Sequence, residues 1–210
     1  MRKMLIYVPK EKPYLYVNSN VLKASYDRYT LSNEKNFSAF GEPLTILNGK
    51  VMGEFEYEIE HVMTNGLCDR FSTSKTEQEE LLKKSCLTLE EMHNYLLGNN
   101  DGGWSIKIKN LNIYDQPKEL SNFYKDDDDF KTAVKYYNGC LPVDCKFIHP
   151  IDRAPQNMMY ARDRMLNEYI LLSIRSKWSY EIAKGNKIFE IRRKILNEMY
   201  KQYCSGEFYK

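Results

Sequence analysis

LLSIRSKWSYEIAKGNKIFEIRRK, residues 171–194, passes from a β-prone run through a short amphipathic segment into a second β-prone run. Leu171, Leu172 and Ile174 open it as a strand. Ser176 has the hydroxyl that suits a helix N-cap, and beyond it Trp178 and Ile182 fall four apart on one helical face. Gly185 can take the left-handed conformation that ends a helix. In the strand that Lys187 opens, side chains alternate, so Ile188, Glu190 and Arg192 share one face and Phe189, Ile191 and Arg193 the other. A glutamate and an arginine therefore point together, with a lysine at the strand entrance.

Outward from this segment, strand patterns dominate. KMLIYVP (residues 3–9) is an apolar run stopped by Pro9, which has no N–H for a ladder. In TILNGKVMGEFEYEI (residues 45–59), Asn48-Gly49 between apolar pairs predicts a hairpin, since a type I′ turn needs positive φ twice. Phe55, Tyr57 and Ile59 then alternate with Glu54, Glu56, Glu58 and Glu60, assigning one face to the core and the other to solvent or a cationic partner. The clearest helix lies in SCLTLEEMHNYLLGNN: Thr88 and Glu91 form a capping box, Leu89, Met92, Leu96 and Leu97 keep helical spacing, and Gly98 suits the C′ position. GGWSIKIKNLNIYDQP returns to strand, with Trp104, Ile106 and Ile108 opposite Lys107 and Lys109. Residues 122–138, with KDDDDF, read as an exposed loop or weak helix because like charges in a row repel.

A chain of 210 residues, 42% hydrophobic, can bury a useful core and is expected to form one domain. The opening apolar run MLIYV is far shorter than a signal core or a membrane span. Five irregularly spaced cysteines fit a reducing compartment better than a disulfide framework, so the expected location is the cytoplasm and no membrane partner is expected. A formal charge of +2 excludes strong sequence-independent attraction to nucleic acid by net charge, leaving such binding to a local patch. His61, His93 and His149 are scattered, no cysteine has a compelling basic neighbour, and no glycine-rich phosphate loop appears.

Residues 171–194 resemble the signature of ASCH domains, a branch of the PUA-like superfamily, in which the pattern hhSIKPxxxxxIhxGxKxhExR runs from strand through helix into strand. Gly185, Lys187, Glu190 and Arg192 fall on its GxKxxExR portion. LTILNGKVMGEFEYEI, KSCLTLEEMHNYLLG, IYDQPKELSNFY and RAPQNMMY are similar to segments of phage and prophage ASCH proteins and together cover most of the chain. The order departs from the family: residues 166–210 correspond to its usual N-terminal segment, yet here they follow RAPQNMMY. Joining Lys210 to Met1 and cutting near Arg164 restores the usual order, so the sequence looks circularly permuted. Exchange of this segment between protomers of a homodimer, or a truncated second copy, are the alternatives. The resemblance implies an α+β fold over residues 1–210: a PUA-like, partly open β-barrel flanked by helices, with a cleft over the barrel. Periodicity alone supports only α+β with a mostly antiparallel sheet.

The resemblance also implies that Lys187, Glu190 and Arg192 line that cleft and bind RNA or a modified nucleotide. Arg192 suits a phosphate bidentately, Lys187 offers a compact positive charge, and Glu190 can accept from a base edge. Trp178 and Trp104 are the stacking candidates, unless both are core; Glu190 and Arg192 are equally open to a purely architectural ion pair. Related enzymes hydrolyse N4-acetylcytidine with the motif lysine and a threonine where this chain has Glu190, and some ASCH proteins are associated with ribonuclease activity. A nucleoside amidohydrolase or ribonuclease with Lys187 as catalytic residue is thus the second reading, and a phage accessory protein that binds a host protein the third. No cofactor is called for. The weak metal candidates are Cys140, Cys145 and His149, which would need Cys68, Cys86 or Cys204 to complete a zinc site.

Overall fold

The computed structural model describes residues 2–9, 14–16, 45–47, 49–62, 75–96 and 102–206. These form strands β1 (Lys3–Val8), β2 (Tyr14–Tyr16), β3 (Thr45–Leu47) and β4 (Lys50–Val62), then helices α1 (Lys75–Ser85) and α2 (Leu89–Leu96). Strand β5 (Gly103–Glu119), a 3-10 turn (Leu120–Asn122), β6 (Tyr124–Lys125) and helix α3 (Asp128–Tyr136) follow. The order finishes with β7 (Met158–Arg162), β8 (Glu168–Ser173), α4 (Ser176–Ala183), β9 (Phe189–Arg192) and α5 (Asn197–Cys204). The α+β class is borne out. Seven strands make one mixed sheet in the order β6-β7-β8-β1-β4-β5-β9, and β2 pairs with β3 separately. The sheet ends on β6 and β9 and does not close into a barrel. No helix among the described residues is long and apolar enough to cross a membrane.

The chain divides into two compact units, Met1–Phe55 with Leu111–Ser179, and Glu56–Asn110 with Tyr180–Lys210. In the first, β1 is apolar and buried from Met4 to Val8, which suits a strand with a partner on each side. It runs parallel to β8, with Lys3 opposite Tyr169 and Tyr7 opposite Ser173, and antiparallel to β4. The run near Ile170 is thus the parallel neighbour of Met4 to Tyr7. Among the described residues the hairpin expected at Asn48-Gly49 is not formed: β3 pairs with β2, whereas β4 pairs with β1. Gly49, at φ 77°, donates its N–H to the Val8 carbonyl at 3.0 Å, while Asn48 lies outside the described residues. The distant β1 gives β4 a longer ladder than the three-residue β3 could.

Leu5, Tyr7, Val51, Leu120, Phe123, Ile151, Ala161 and Leu171 form one apolar cluster of this unit, and Tyr124, Phe130, Ala133 and Ile148 another. Of the loop or weak helix expected from the acidic run, the structure has the helix, α3. The Asp127 carboxylate caps it by accepting from the Phe130 N–H at 2.9 Å, and Asp128 and Asp129 sit in its first turn, where the positive end of the helix dipole favours carboxylates. Asp126 instead accepts from Arg162 Nε at 2.8 Å. The run of like charge is divided among distinct tasks.

In the second unit, Val62, Leu81, Met92, Leu96 and Ile191 form the apolar cluster. Thr88 and Glu91 make the expected capping box: Glu91 accepts from the Thr88 N–H at 2.8 Å, and Thr88 Oγ1 from the Glu91 N–H at 3.1 Å. Met92 and Leu96 are buried as their spacing requires, but Leu89 is 55% exposed; Leu97 and Gly98 lie outside the described residues. Thr88→Ala is expected to lower stability by about 1 kcal/mol, measured by urea denaturation, and an unchanged midpoint would show the box contributes nothing. The glutamate face of β4 is met from β5: Lys109 pairs with Glu58, Lys107 stands 3.9 Å from it, and the Asn110 amide donates to Glu56 at 2.7 Å. Glu58 is thus paired with lysines of the same unit, and Glu56 with a neutral amide. Asn110 takes φ 46°, a left-handed conformation that asparagine tolerates better than most residues.

Candidate functional site

The site begins at the C-terminus of α1. Cys86 takes φ 57° at the C′ position, its N–H bonds the Lys83 carbonyl (3.2 Å), and the Leu87 N–H bonds that of Leu82 (3.4 Å). This is the Schellman pattern, with cysteine where glycine is usual. The next two carbonyls are taken by the segment that enters β9: Ile188 donates its N–H to Lys84 O at 2.8 Å, and Lys187 Nζ donates to Ser85 O at 2.6 Å. Lys187 is therefore an ammonium at the negative end of a helix dipole. A second Schellman pattern at Gly185, φ 76°, delivers it there: Gly185 N–H bonds Ile182 O at 2.9 Å and Asn186 N–H bonds Glu181 O at 3.0 Å. The glycine expected to end α4 does so. The helix itself starts on the Arg175 carbonyl, which accepts from the Trp178 and Ser179 N–H groups, with Ser176 as its first residue.

Glu190 joins the two cations. One carboxylate oxygen lies 3.3 Å from Lys187 Nζ and the other 2.9 Å from Arg192 Nη2. Lys187, Glu190 and Arg192 are 2%, 6% and 8% exposed, so all three charges are withdrawn from water. Two cations thus share the Glu190 carboxylate. The reading that put Glu190 and Arg192 on one face agrees with this geometry. Phe189 and Ile191 point the other way and pack on the apolar cluster of Leu81, Met92 and Leu96.

Strand pairing brings Trp104 beside the cluster. Trp104 is opposite Arg192 and Ile106 opposite Glu190, and residues directly opposed in an antiparallel pair put their side chains on the same face. Trp104 is only 9% exposed. Its ring meets those of His61 at 4.9 Å, Tyr203 at 5.1 Å and Tyr200 at 5.8 Å between centroids, each close to edge-on. The sequence reading placed none of these three at the site. His61 continues the Phe55, Tyr57, Ile59 alternation and was legible from it, whereas Tyr200 and Tyr203 become neighbours only because Asn197–Cys204 is helical. Trp178 belongs to the other unit, half-buried, with the Lys177 ammonium 4.4 Å from its ring centre.

Cys140, Cys145 and His149 lie in the segment after α3. Cys140 and His149 are exposed, Cys145 packs beside the cluster of Phe130 and Ile148, and His149 Nε2 is 3.7 Å from Asp129. Among the described residues no group of three or more His, Cys, Asp or Glu side chains is placed to hold a metal ion, and Cys68 lies outside those residues. A second polar cluster lies in the first unit. Burial raises the Glu54 carboxyl, but hydrogen bonds from Lys3 and Tyr114 outweigh it and hold the group below the usual carboxylate range. Burial, then Asp163, pushes the Tyr169 phenol up to about 12. Tyr114 and Tyr169 pack on the unit's apolar cluster, so these carboxylates partner the hydroxyls at its rim.

Comparison with protein-family models, with curated proteins and with solved structures found no match to this chain.

Proposed function

We propose that the chain is a circularly permuted domain of ASCH type that binds RNA or a modified nucleotide at Lys187, Glu190 and Arg192. The observation that carries this reading is the buried cluster of two cations and one carboxylate. Buried charge is costly unless compensated, and Glu190 holds a lysine and an arginine together at one buried place. The helix terminus at Ser85 adds an opposing partial charge of about half a unit beside Lys187. A phosphate is the group that two adjacent cations suit, and an arginine is the side chain best shaped to receive it. Glu190, with each oxygen engaged by one cation, keeps further lone pairs for the donor edge of a base.

A phosphate contact releases counterions, so for single strands each lost contact flattens the slope of log affinity against log salt by about 0.7. Arg192→Ala is expected to weaken binding of a short fluorescein-labelled single-stranded RNA, by anisotropy, and to flatten the slope by about that amount. Lys187→Ala should do the same, with an added loss of stability because its ammonium also bonds Ser85 O. An affinity and slope unchanged in Arg192→Ala would remove the cluster from the binding site.

A further inference from the structure

We infer that Tyr200 on α5, and not Trp104, is the ring on which the base of the bound nucleotide stacks; this rests on the nucleotide-binding reading above. Stacking needs an open aromatic face beside the phosphate partner. Trp104 is on the correct face of β5, opposite Arg192, but at 9% exposure it has little open surface. Tyr200 is in edge contact with that same indole and is 52% exposed. Trp104 thus supports the ring that is presented. Helix spacing puts Tyr203 three residues on, along the same side of α5, where it packs edge-on to Trp104 and is half-buried. Met199 is the residue through which α5 is buried, so Tyr200 stands at the border between the packed side of the helix and water. The unit also exposes Tyr95, 39% accessible, with the Arg193 guanidinium 5.1 Å from its ring centre. Arg193 follows Arg192 and projects to the opposite face of the strand, so Tyr95 is the wrong ring for this ligand.

The test compares Tyr200→Ala, Tyr200→Phe and Tyr95→Ala for binding the labelled single-stranded RNA, with thermal melts to establish that each is folded. Tyr200→Ala is expected to lose affinity about five- to hundredfold, the range of one base–aromatic stack, with an unaltered salt slope. Tyr200→Phe, which keeps the ring, and Tyr95→Ala, on the other face, should bind as wild type does. Wild-type affinity in Tyr200→Ala, with binding still lost in Arg192→Ala, would overturn the assignment of Tyr200 and leave the charged site standing. RNA that fails to bind the wild-type protein would overturn both.

Discussion

Glu190→Ala is expected to lower stability by about 3–5 kcal/mol, because it leaves the Lys187 ammonium and the Arg192 guanidinium buried without their shared carboxylate. The loss should appear in the second unit, and Trp104 reports it: in a Trp178→Phe background it is the one remaining tryptophan. Urea denaturation followed by its emission reads the shift. The triple change Lys187→Met, Glu190→Leu, Arg192→Met is the informative companion. Replacing a buried charge cluster by apolar groups of similar size is often neutral or stabilising. The triple variant should therefore be far more stable than Glu190→Ala, short of wild type by about 1 kcal/mol for the lost hydrogen bond to Ser85 O. If it falls as far as Glu190→Ala, the cluster is required by the architecture and no longer argues for a ligand.

Gly53→Ala carries the second large effect. A Cβ at this position would lie 2.5 Å from the Asn112 carbonyl oxygen and 3.1 Å from Ile113 Cα. Both are backbone atoms, so relief requires β4 and β5 to separate locally and no side-chain rotation suffices. A cost of about 2–3 kcal/mol is expected, at the upper end of overpacking effects. The damage falls in the first unit, where Trp178 is the reporter, so denaturation in a Trp104→Phe background reads it. A midpoint within error of the parent's would mean that the two strands give way more easily than this contact implies.

What the sequence made legible is what local physics decides. The capping box at Thr88 needs only residues three apart, and the face shared by Glu190 and Arg192 only strand alternation. Both are as read. The hairpin at Asn48-Gly49 is locally well written, yet β4 is claimed by β1, more than forty residues earlier in the chain, and no turn signal carries that. For helix α3 the sequence left loop and weak helix both open, for a different reason. Repulsion within the acidic run was weighed, but not the two tasks that resolve it: Asp127 as cap and Asp128 and Asp129 at the positive helix end. At the site, the three motif residues were named from the segment itself, whereas their aromatic surroundings depend on α5, whose single buried residue, Met199, leaves almost no periodic trace in the sequence. The burial of Trp104 likewise comes from rings contributed by β4 and α5.

The measurement that bears most directly on the central claim is native mass spectrometry of the wild-type protein titrated with a short single-stranded RNA and a mixture of nucleoside monophosphates, beside Arg192→Ala. The account predicts a one-to-one complex on the wild-type chain that is depleted in Arg192→Ala while the variant remains folded. Equal occupancy of the two proteins, or no complex on either, would contradict it.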